Sequence, residues 1–494
     1  MIKKTILSKS RIMSGLQCEK KLYLEINNRE TAGQVTPTEQ ARFDAGNEVG
    51  EEARKRYPGG VLIDAPHYDR DLALKQTVDA LNSGANNIFE ASFVFNDVFA
   101  RIDILHRNIS RNNKNSWDII EVKSTTKVKE QHLYDIAVQS WIFINQGLPL
   151  NKCFVMHLNN QCIYPNLDNL FCLEDVTAQV EELISEVKKS IGKLKSVVAD
   201  SAPPPKEIGP HCFEPYDCQY AGTCWKDFPE KNIFELPGLG KKAWDLFNQG
   251  HRKIKDLNPE DFKGKTKRAI EVTIAGKRHL DRASVKESLK SWQWPLYFFD
   301  FETIGPAIPR YNGTKPYSPI PFQFSCHVMK SKASIHLEHF EYLHTDITDP
   351  REPLVKSLSE NFGPKGSVVS YNKSFENGVL NKLADLFPKH RRALLDIASR
   401  LVDPLPIFQN HIYDEEFLGS FSIKNVAPAI IGKHLKYDEL EVSDGTEAGA
   451  IIDLLMTNKI SDKVERQKQT QALLEYCRQD TLAMVELVKW LFAL

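Results

Sequence analysis

Residues 297–303 read YFFDFET, and this stretch governs how the C-terminal half folds. An apolar run of this kind suits a central strand with both faces covered. Side chains two apart in a strand share a face, so Asp300 and Glu302 leave it on the same side. Such a pair can share two divalent cations about 4 Å apart, the arrangement used for in-line phosphodiester cleavage. Downstream, SVVSYNKSFENGVL (367–380) reads as an apolar strand feeding a helix that carries Glu376. Further on, EYCRQDTLAMVEL (475–487) reads as a helix on which Tyr476 and Asp480 stand one turn apart and face the same way.

A second acidic pattern lies in the N-terminal half. Residues 88–105 read as strand and end in ARIDIL, a polar Asn-rich turn follows at 108–116, and WDIIEVKS (117–124) returns as a second strand. Residues 131–146 then form a helical pattern containing Gln139, closed by Gly147-Leu148-Pro149. Adjacent strands allow Asp103 and Glu121 to aim at one Mg²⁺ or Mn²⁺, with the Val122 carbonyl as a further oxygen ligand. Lys123 shares the Glu121 face, where an ammonium can orient water and offset charge developing on phosphate. Any one of these motifs alone is weak, since an E-V-K tripeptide also occurs on exposed strand edges.

At 494 residues the chain is too long for one core and suggests two or three domains. No apolar run is long enough to span a bilayer, and the N-terminus lacks the apolar stretch of a secretory signal. The expectation is therefore a cytoplasmic protein with no membrane partner. A net charge of −1 gives no global signature of nucleic-acid binding, so any such binding must use local basic stretches, for example 107–114 and 263–277. No G-x-S-x-G is present to support a serine nucleophile. Nine cysteines in an intracellular chain point to ligands or core residues rather than disulfides. Cys212, Cys218 and Cys224 recur every six positions, and Cys18 stands near the N-terminus. Their C-x5-C spacing is looser than that of most zinc sites. Buried free thiols are the plain alternative.

On Asp103, Glu121-Val122-Lys123 and Gln139-Ser140-Trp141, the chain resembles the PD-(D/E)xK nuclease superfamily, specifically its RecB-like branch. The resemblance implies a metal-binding role for Asp103 and Glu121 and catalytic roles for Lys123 and Gln139. RecB-like enzymes usually carry a His on an early helix; Gly50 stands at that position here, leaving Glu48 or Glu52 as candidate ligands. Cys18, Cys212, Cys218 and Cys224 resemble the iron–sulfur staple of the branch that includes CRISPR-associated and AddB-type nucleases. That resemblance implies a [4Fe–4S] cluster, with zinc as the second choice. Asp300 and Glu302, then Asn372, Phe375 and Glu376, then Tyr476 and Asp480 resemble the three motifs of DEDD exonucleases with the RNase H-like fold. Glu376 departs from the usual Asp. The resemblance implies that Asp300, Glu302, Glu376 and Asp480 hold two metals and that Tyr476 positions water. The whole resembles a bacterial family that fuses the two nucleases.

The expectation is an α/β chain: a PD-(D/E)xK restriction-endonuclease-like domain with its four-cysteine cluster (1–230), a small helical connector resembling a helix-hairpin-helix (231–290), and an RNase H-like mixed-sheet DEDD domain (291–494). The expected activity is metal-dependent hydrolysis of phosphodiesters, in DNA with single-stranded ends ahead of RNA. A helicase or a repair or defence protein is the partner to look for. The alternative is a nucleic-acid-binding scaffold, or a helicase-associated subunit, in which one or both sites are inactive.

Overall fold

Two mixed sheets, each built on one of the apolar runs, organise this α/β chain. The computed structural model describes residues 6–109, 115–436 and 440–494, so most of the Asn-rich turn lies outside the described residues. The chain divides into two units, residues 1–227 with 306–317, and residues 228–305 with 318–494.

In the first unit the strands are β1 (Leu7–Ser8), β2 (Val61–Leu62), β3 (Asn87–Phe95), β4 (Val98–Ile109), β5 (Asn115–Lys123), β6 (Leu150–Leu158) and β7 (Phe171–Asp175). They pair in the order β2-β3-β4-β5-β6-β7, and β1 pairs with β4. Pairing of β5 with β4 runs from Ile104↔Ile120 to Ile109↔Asn115, whereas β1 meets β4 at Val98 and Phe99. β1 joins β4 beyond the stretch paired to β5, and the helix it leads into, Lys9–Gln17, starts beside the end of β5. The helices Glu130–Ile144 and Thr177–Ala199 close the core with Ile136, Phe143, Val187 and Ile191. The helix Pro37–Arg54, opened by a Thr36/Glu39 capping box, buries Val49 and Ala53. Residues 306–317 join this unit through Tyr164 N–H to the Thr314 carbonyl (3.0 Å) and Gly313 N–H to the Tyr164 carbonyl (3.1 Å).

The second unit contains β8 (His279–Leu280), β9 (Leu296–Ile304), β10 (Ile320–Met329), β11 (Glu338–Leu343), β12 (Ser367–Val369), β13 (Leu401–Val402) and β14 (Ile412–Tyr413). Five form a sheet in the order β11-β10-β9-β12-β13, antiparallel on one side of β9 and parallel on the other. Tyr297, Phe299 and Phe301 pack into the core that includes Leu354, Leu380 and Leu394. The alternate residues, Asp300 and Glu302 among them, therefore face the other layer, where the helix Lys463–Ala493 packs on β9 and β10.

Residues 231–290, expected as a separate connector, fall inside this second unit. Their helices, Lys242–Asn248, Gly264–Ala275 and Arg282–Leu289, are short and bury their apolar faces by joining a larger core. Among the ties are the pairing of β8 with β14 and a 2.6 Å ion pair from Arg278 to Asp414. The Gly-Leu-Gly turn does feed a helix, with Gly238 and Gly240 at φ of +88° and +51°. Gly419, at φ +74°, backs onto Glu235 so closely that a Cβ would sit 1.8 Å from its carbonyl oxygen. Gly419→Ala is expected to destabilise the protein by about 3 kcal/mol or more. A urea midpoint equal to that of the wild type would refute this packing.

Candidate metal centres

In the first unit the buried Glu121 carboxylate is the hub. Its Oε1 accepts from Lys9 Nζ at 2.7 Å and Lys123 Nζ at 2.8 Å, and its Oε2 accepts from Gln139 Nε2 at 2.5 Å. Lys123 also donates to Asp135 Oδ2 at 2.6 Å. Asp103 Oδ2 accepts from the Val122 N–H at 2.7 Å, which locks the carboxylate to the neighbouring strand. Burial opposes the charge on Glu121, but the Lys123 and Lys9 ammoniums beside it prevail and hold its pKa well below the usual carboxylate range. Asp103 goes the other way, pushed up to about 7 by burial and by the charge of Glu121.

The structure thus gathers Asp103, Glu121, Lys123 and Gln139. It adds three residues that the sequence motifs do not contain. Lys9 arrives from 112 positions away through the β1–β4 pairing, with no spacing signal to announce it. Asp135 lies four before Gln139 on one helix face, a periodicity that could have been read. Glu90, at φ +59° within β3, adds its charge at Asp103 and pairs with Arg54 at 2.9 Å. Of the two early-helix candidates, Glu52 pairs with Lys55 at 2.5 Å and Glu48 is exposed.

Cys18, Cys212, Cys218 and Cys224 line one small cavity, together with Lys20, Lys21, Lys206, Glu207 and His211. Cys18 separates the helices Lys9–Gln17 and Glu19–Asn27. Gln17 Nε2 pins the distant cysteine segment by donating to the carbonyls of His211 (2.8 Å) and Tyr216 (2.6 Å). Burial raises the pKa of the Cys218 and Cys224 thiols, and repulsion from Cys18 and Cys212 adds to it.

In the second unit, three separate elements deliver the acidic set. Gln323 and Ser325 on β10 lie opposite Glu302 and Asp300. Gln323 Nε2 donates to the Leu473 carbonyl (2.8 Å), and the Ser325 hydroxyl bonds that of Thr481 (2.9 Å). These bonds fix the long helix on both sides of Tyr476 and Asp480, so that Asp480 acts on Asp300 and Glu302. After β12, Asn372 takes φ +65°, and the N–H groups of Asn372 and Lys373 donate to Asp403, each at 3.1 Å. That turn starts the helix Ser374–Leu386, whose first turn brings Glu376 beside Asp300.

With four carboxylates converging, burial pushes Asp300 well above its usual pKa, reinforced by Asp480, Glu376 and Glu302. Glu302 is pushed up to about 8 by burial and then Asp480, and Glu376 to about 7 by burial first. The Tyr476 hydroxyl and Glu302 Oε2 lie on the same side, 3.9 and 3.4 Å from the Cβ position of Gly445. Lys424 stands 5.0 Å over the Tyr476 ring and donates to the Ser443 carbonyl at 2.6 Å. Beside the carboxylates opens a cavity of about 470 Å³, lined by Asp300, Asp480, Tyr371, Asn372, Phe421 and Lys424 among others.

The acidic set of the second unit has the chemistry to hold a cation, whereas Glu121 in the first unit already carries the Lys9 and Lys123 ammoniums. Glu376 Oε2 and Gln139 Oε1 are buried without a hydrogen-bond partner, and the donor sets are the hard oxygens that Mg²⁺ and Mn²⁺ prefer. Among the described residues, one group of metal-type ligand atoms lies within 4.8 Å of one another: Asp300, Glu302 and Cys477. No helix of the described residues is long and apolar enough to cross a membrane.

Residues 297–422 match the model of a domain of unknown function, DUF2779. That span holds Asp300, Glu302 and Glu376 and stops short of Tyr476 and Asp480. The chain is also similar to uncharacterized protein MG366 of Mycoplasma genitalium, 29% identical over 208 residues, or 39% of this chain. The match spans 31% of the length of that relative.

Proposed function

We propose that the chain is a metal-dependent nuclease that hydrolyses phosphodiester bonds, most readily in DNA with single-stranded ends. The observation that carries this reading is the convergence of Asp300, Glu302, Glu376 and Asp480, from one strand and two helices, beside an open cavity. Four carboxylates forced together in a low-dielectric site are costly unless cations neutralise them. Divalent cations would be held by Asp300, Glu302, Glu376 and Asp480, and would supply charge stabilisation and activation of water. In this reading Tyr476 orients the attacking water and Lys424 attracts a phosphate. The mixed five-stranded sheet is compatible with an RNase H-like domain, and Tyr476 with the tyrosine subgroup of DEDD exonucleases.

For the first unit we propose a PD-(D/E)xK-type centre on Asp103, Glu121, Lys123 and Gln139, with Glu90 as a further carboxylate whose charge acts on Asp103. The cysteine cavity supports a structural [4Fe–4S] cluster, with zinc as the second choice. Lys20, Lys21 and Lys206 around it suit the negative charge of four metal-bound thiolates. Brown protein with iron on elemental analysis is the expected result, and colourless zinc-loaded protein would sink the iron assignment. One observation favours a weaker role here: Glu121 is already neutralised by two ammoniums, Lys9 and Lys123, so a cation must compete with them. This suits a first centre that binds nucleic acid rather than cleaves it.

The test is Mn²⁺-dependent degradation of end-labelled DNA and RNA by wild type, Lys123→Ala and Asp300→Ala. Loss in Asp300→Ala with retention in Lys123→Ala assigns the cutting to the second centre alone. Loss in both assigns it to both, and full activity in both would overturn the nuclease reading in favour of a scaffold.

A further inference from the structure

We infer that Cys477 gives the carboxylate centre of the second unit a sulfur ligand, making it a site for thiophilic divalent cations, Zn²⁺ or Cd²⁺, held with Asp300 and Glu302. The inference rests on the reading of Asp300 and Glu302 as metal ligands and extends it to a different class of cation. Cys477 is 0% exposed and stands three residues before Asp480 on the long helix, so it shares the face turned to the carboxylates. Its sulfur and one oxygen each of Asp300 and Glu302 lie within 4.8 Å of one another. Burial first, and then the charges of Glu302, Asp300 and Asp480, act on the thiol, which puts the sulfur among those carboxylates. The adjacent buried Glu376 Oε2 has no hydrogen-bond partner and is free to act as a fourth donor.

Tetrahedral coordination by sulfur and oxygen at ordinary zinc bond lengths separates ligand atoms by roughly 3.5 Å, which modest side-chain rotations achieve from the observed spacing. A cation enters from the cavity that Asp300 and Asp480 line. Binding exchanges the thiol proton for the metal, so one proton leaves for each Cys477–metal bond formed. Thiolate favours Zn²⁺ and Cd²⁺, whereas an all-carboxylate centre favours Mg²⁺ and Mn²⁺. The centre thus takes two kinds of cation, and thiophilic occupancy blocks the place of the hard one. The plain alternative is a buried Cys that acts only as a small apolar filler.

Full-length, metal-depleted protein is titrated with Cd²⁺ and followed by the ultraviolet thiolate-to-cadmium charge-transfer band. Wild type is compared with Cys477→Ser, Cys477→Ala and Asp300→Asn, the other eight cysteines being common to all four. Wild type is expected to show one more cadmium–thiolate equivalent than either Cys477 variant, and Asp300→Asn to weaken that extra phase by about tenfold or more. Asp300→Asn keeps every thiol, so it tests the claim even if a Cys477 variant folds poorly. Superimposable titrations of wild type and Asp300→Asn overturn the inference. If Asp300-dependent degradation of DNA persists while the titrations superimpose, the sulfur ligand falls and the nuclease reading stands. An extra cadmium phase without Mn²⁺-dependent degradation upholds the sulfur ligand and removes the nuclease reading.

Discussion

Asp480→Asn is expected to lower Mn²⁺-dependent turnover of end-labelled nucleic acid on the order of 1,000-fold, and Tyr476→Phe about 10- to 100-fold. The two residues share a helix face but are given different work. Asp480 is buried and its charge reaches both Asp300 and Glu302, so in the proposed centre its removal takes away one of the four carboxylates. Tyr476 keeps its ring under Lys424 when the hydroxyl is lost, so the smaller effect expected is that of the proposed water orientation. Neither change disturbs the helix itself, which is held by Gln323 and Ser325 through Leu473 and Thr481. The thermal midpoint of Tyr476→Phe in Mn²⁺ should stay close to wild type and that of Asp480→Asn should fall, as expected for a lost ligand, while single-turnover rates separate the two variants. Equal rates for Asp480→Asn and wild type would remove Asp480 from the centre.

The metal-free protein is expected to lose stability as pH rises from about 4 to 8, and Mn²⁺ to abolish most of that loss. Burial and mutual repulsion raise Glu302 to about 8 and Glu376 to about 7 in the folded chain, and Asp300 well above its usual value. In the unfolded chain these groups ionise near pH 4. Below that pH they are neutral in both states, and their full contribution to stability is present. As pH climbs, the unfolded chain ionises first while the folded one resists, so the contribution is lost progressively through the folded-state values. A tenfold change in acidity between folded and unfolded chain is worth about 1.4 kcal/mol, so the coupled set represents on the order of a few kcal/mol. Other groups titrate too, Asp103 in the same sense and Glu121 in the opposite one, so the Glu302→Gln difference isolates the effect. In EDTA at pH 8, Glu302→Gln should melt several degrees above wild type, and at pH 4 the two should coincide. In Mn²⁺ the order should reverse, because a ligand has been lost. A Glu302→Gln variant that melts with wild type at pH 8 in EDTA would show that the cluster is not electrostatically strained.

Part of the fold and of the centres is legible from local pattern. The alternation in YFFDFET places Asp300 and Glu302 on one face, and the structure puts three of its four aromatic residues, Tyr297, Phe299 and Phe301, into the opposite layer. Tyr476 and Asp480 follow from their four-residue spacing on one helix face. Cys477 offers the same kind of signal, three residues before Asp480, and Asp135 does so four before Gln139. Neither belongs to a motif, so periodicity alone would have had to single it out. The grouping of 231–290 with the second unit has a different origin. The turns and short helices of this stretch are readable, but whether so little apolar surface forms its own core or joins a larger one depends on its neighbours. The assignment of residues 306–317 to the first unit has no sequence signal either.

Local periodicity is enough to say which side chains share a face, because the periods of strand and helix are properties of the backbone. It therefore specifies the acidic pairs and the order of elements that bear them. Which of these faces meet is a matter of packed layers. Lys9 reaches Glu121 because a two-residue strand pairs with β4 beside β5, and Asp480 reaches Asp300 because β10 anchors a helix some 150 residues away. Such meetings follow from the packing of whole layers, which no short window of residues encodes. The charges of the two centres follow from it as well, since burial and neighbours, rather than residue type, set Glu121 low and Glu302 high.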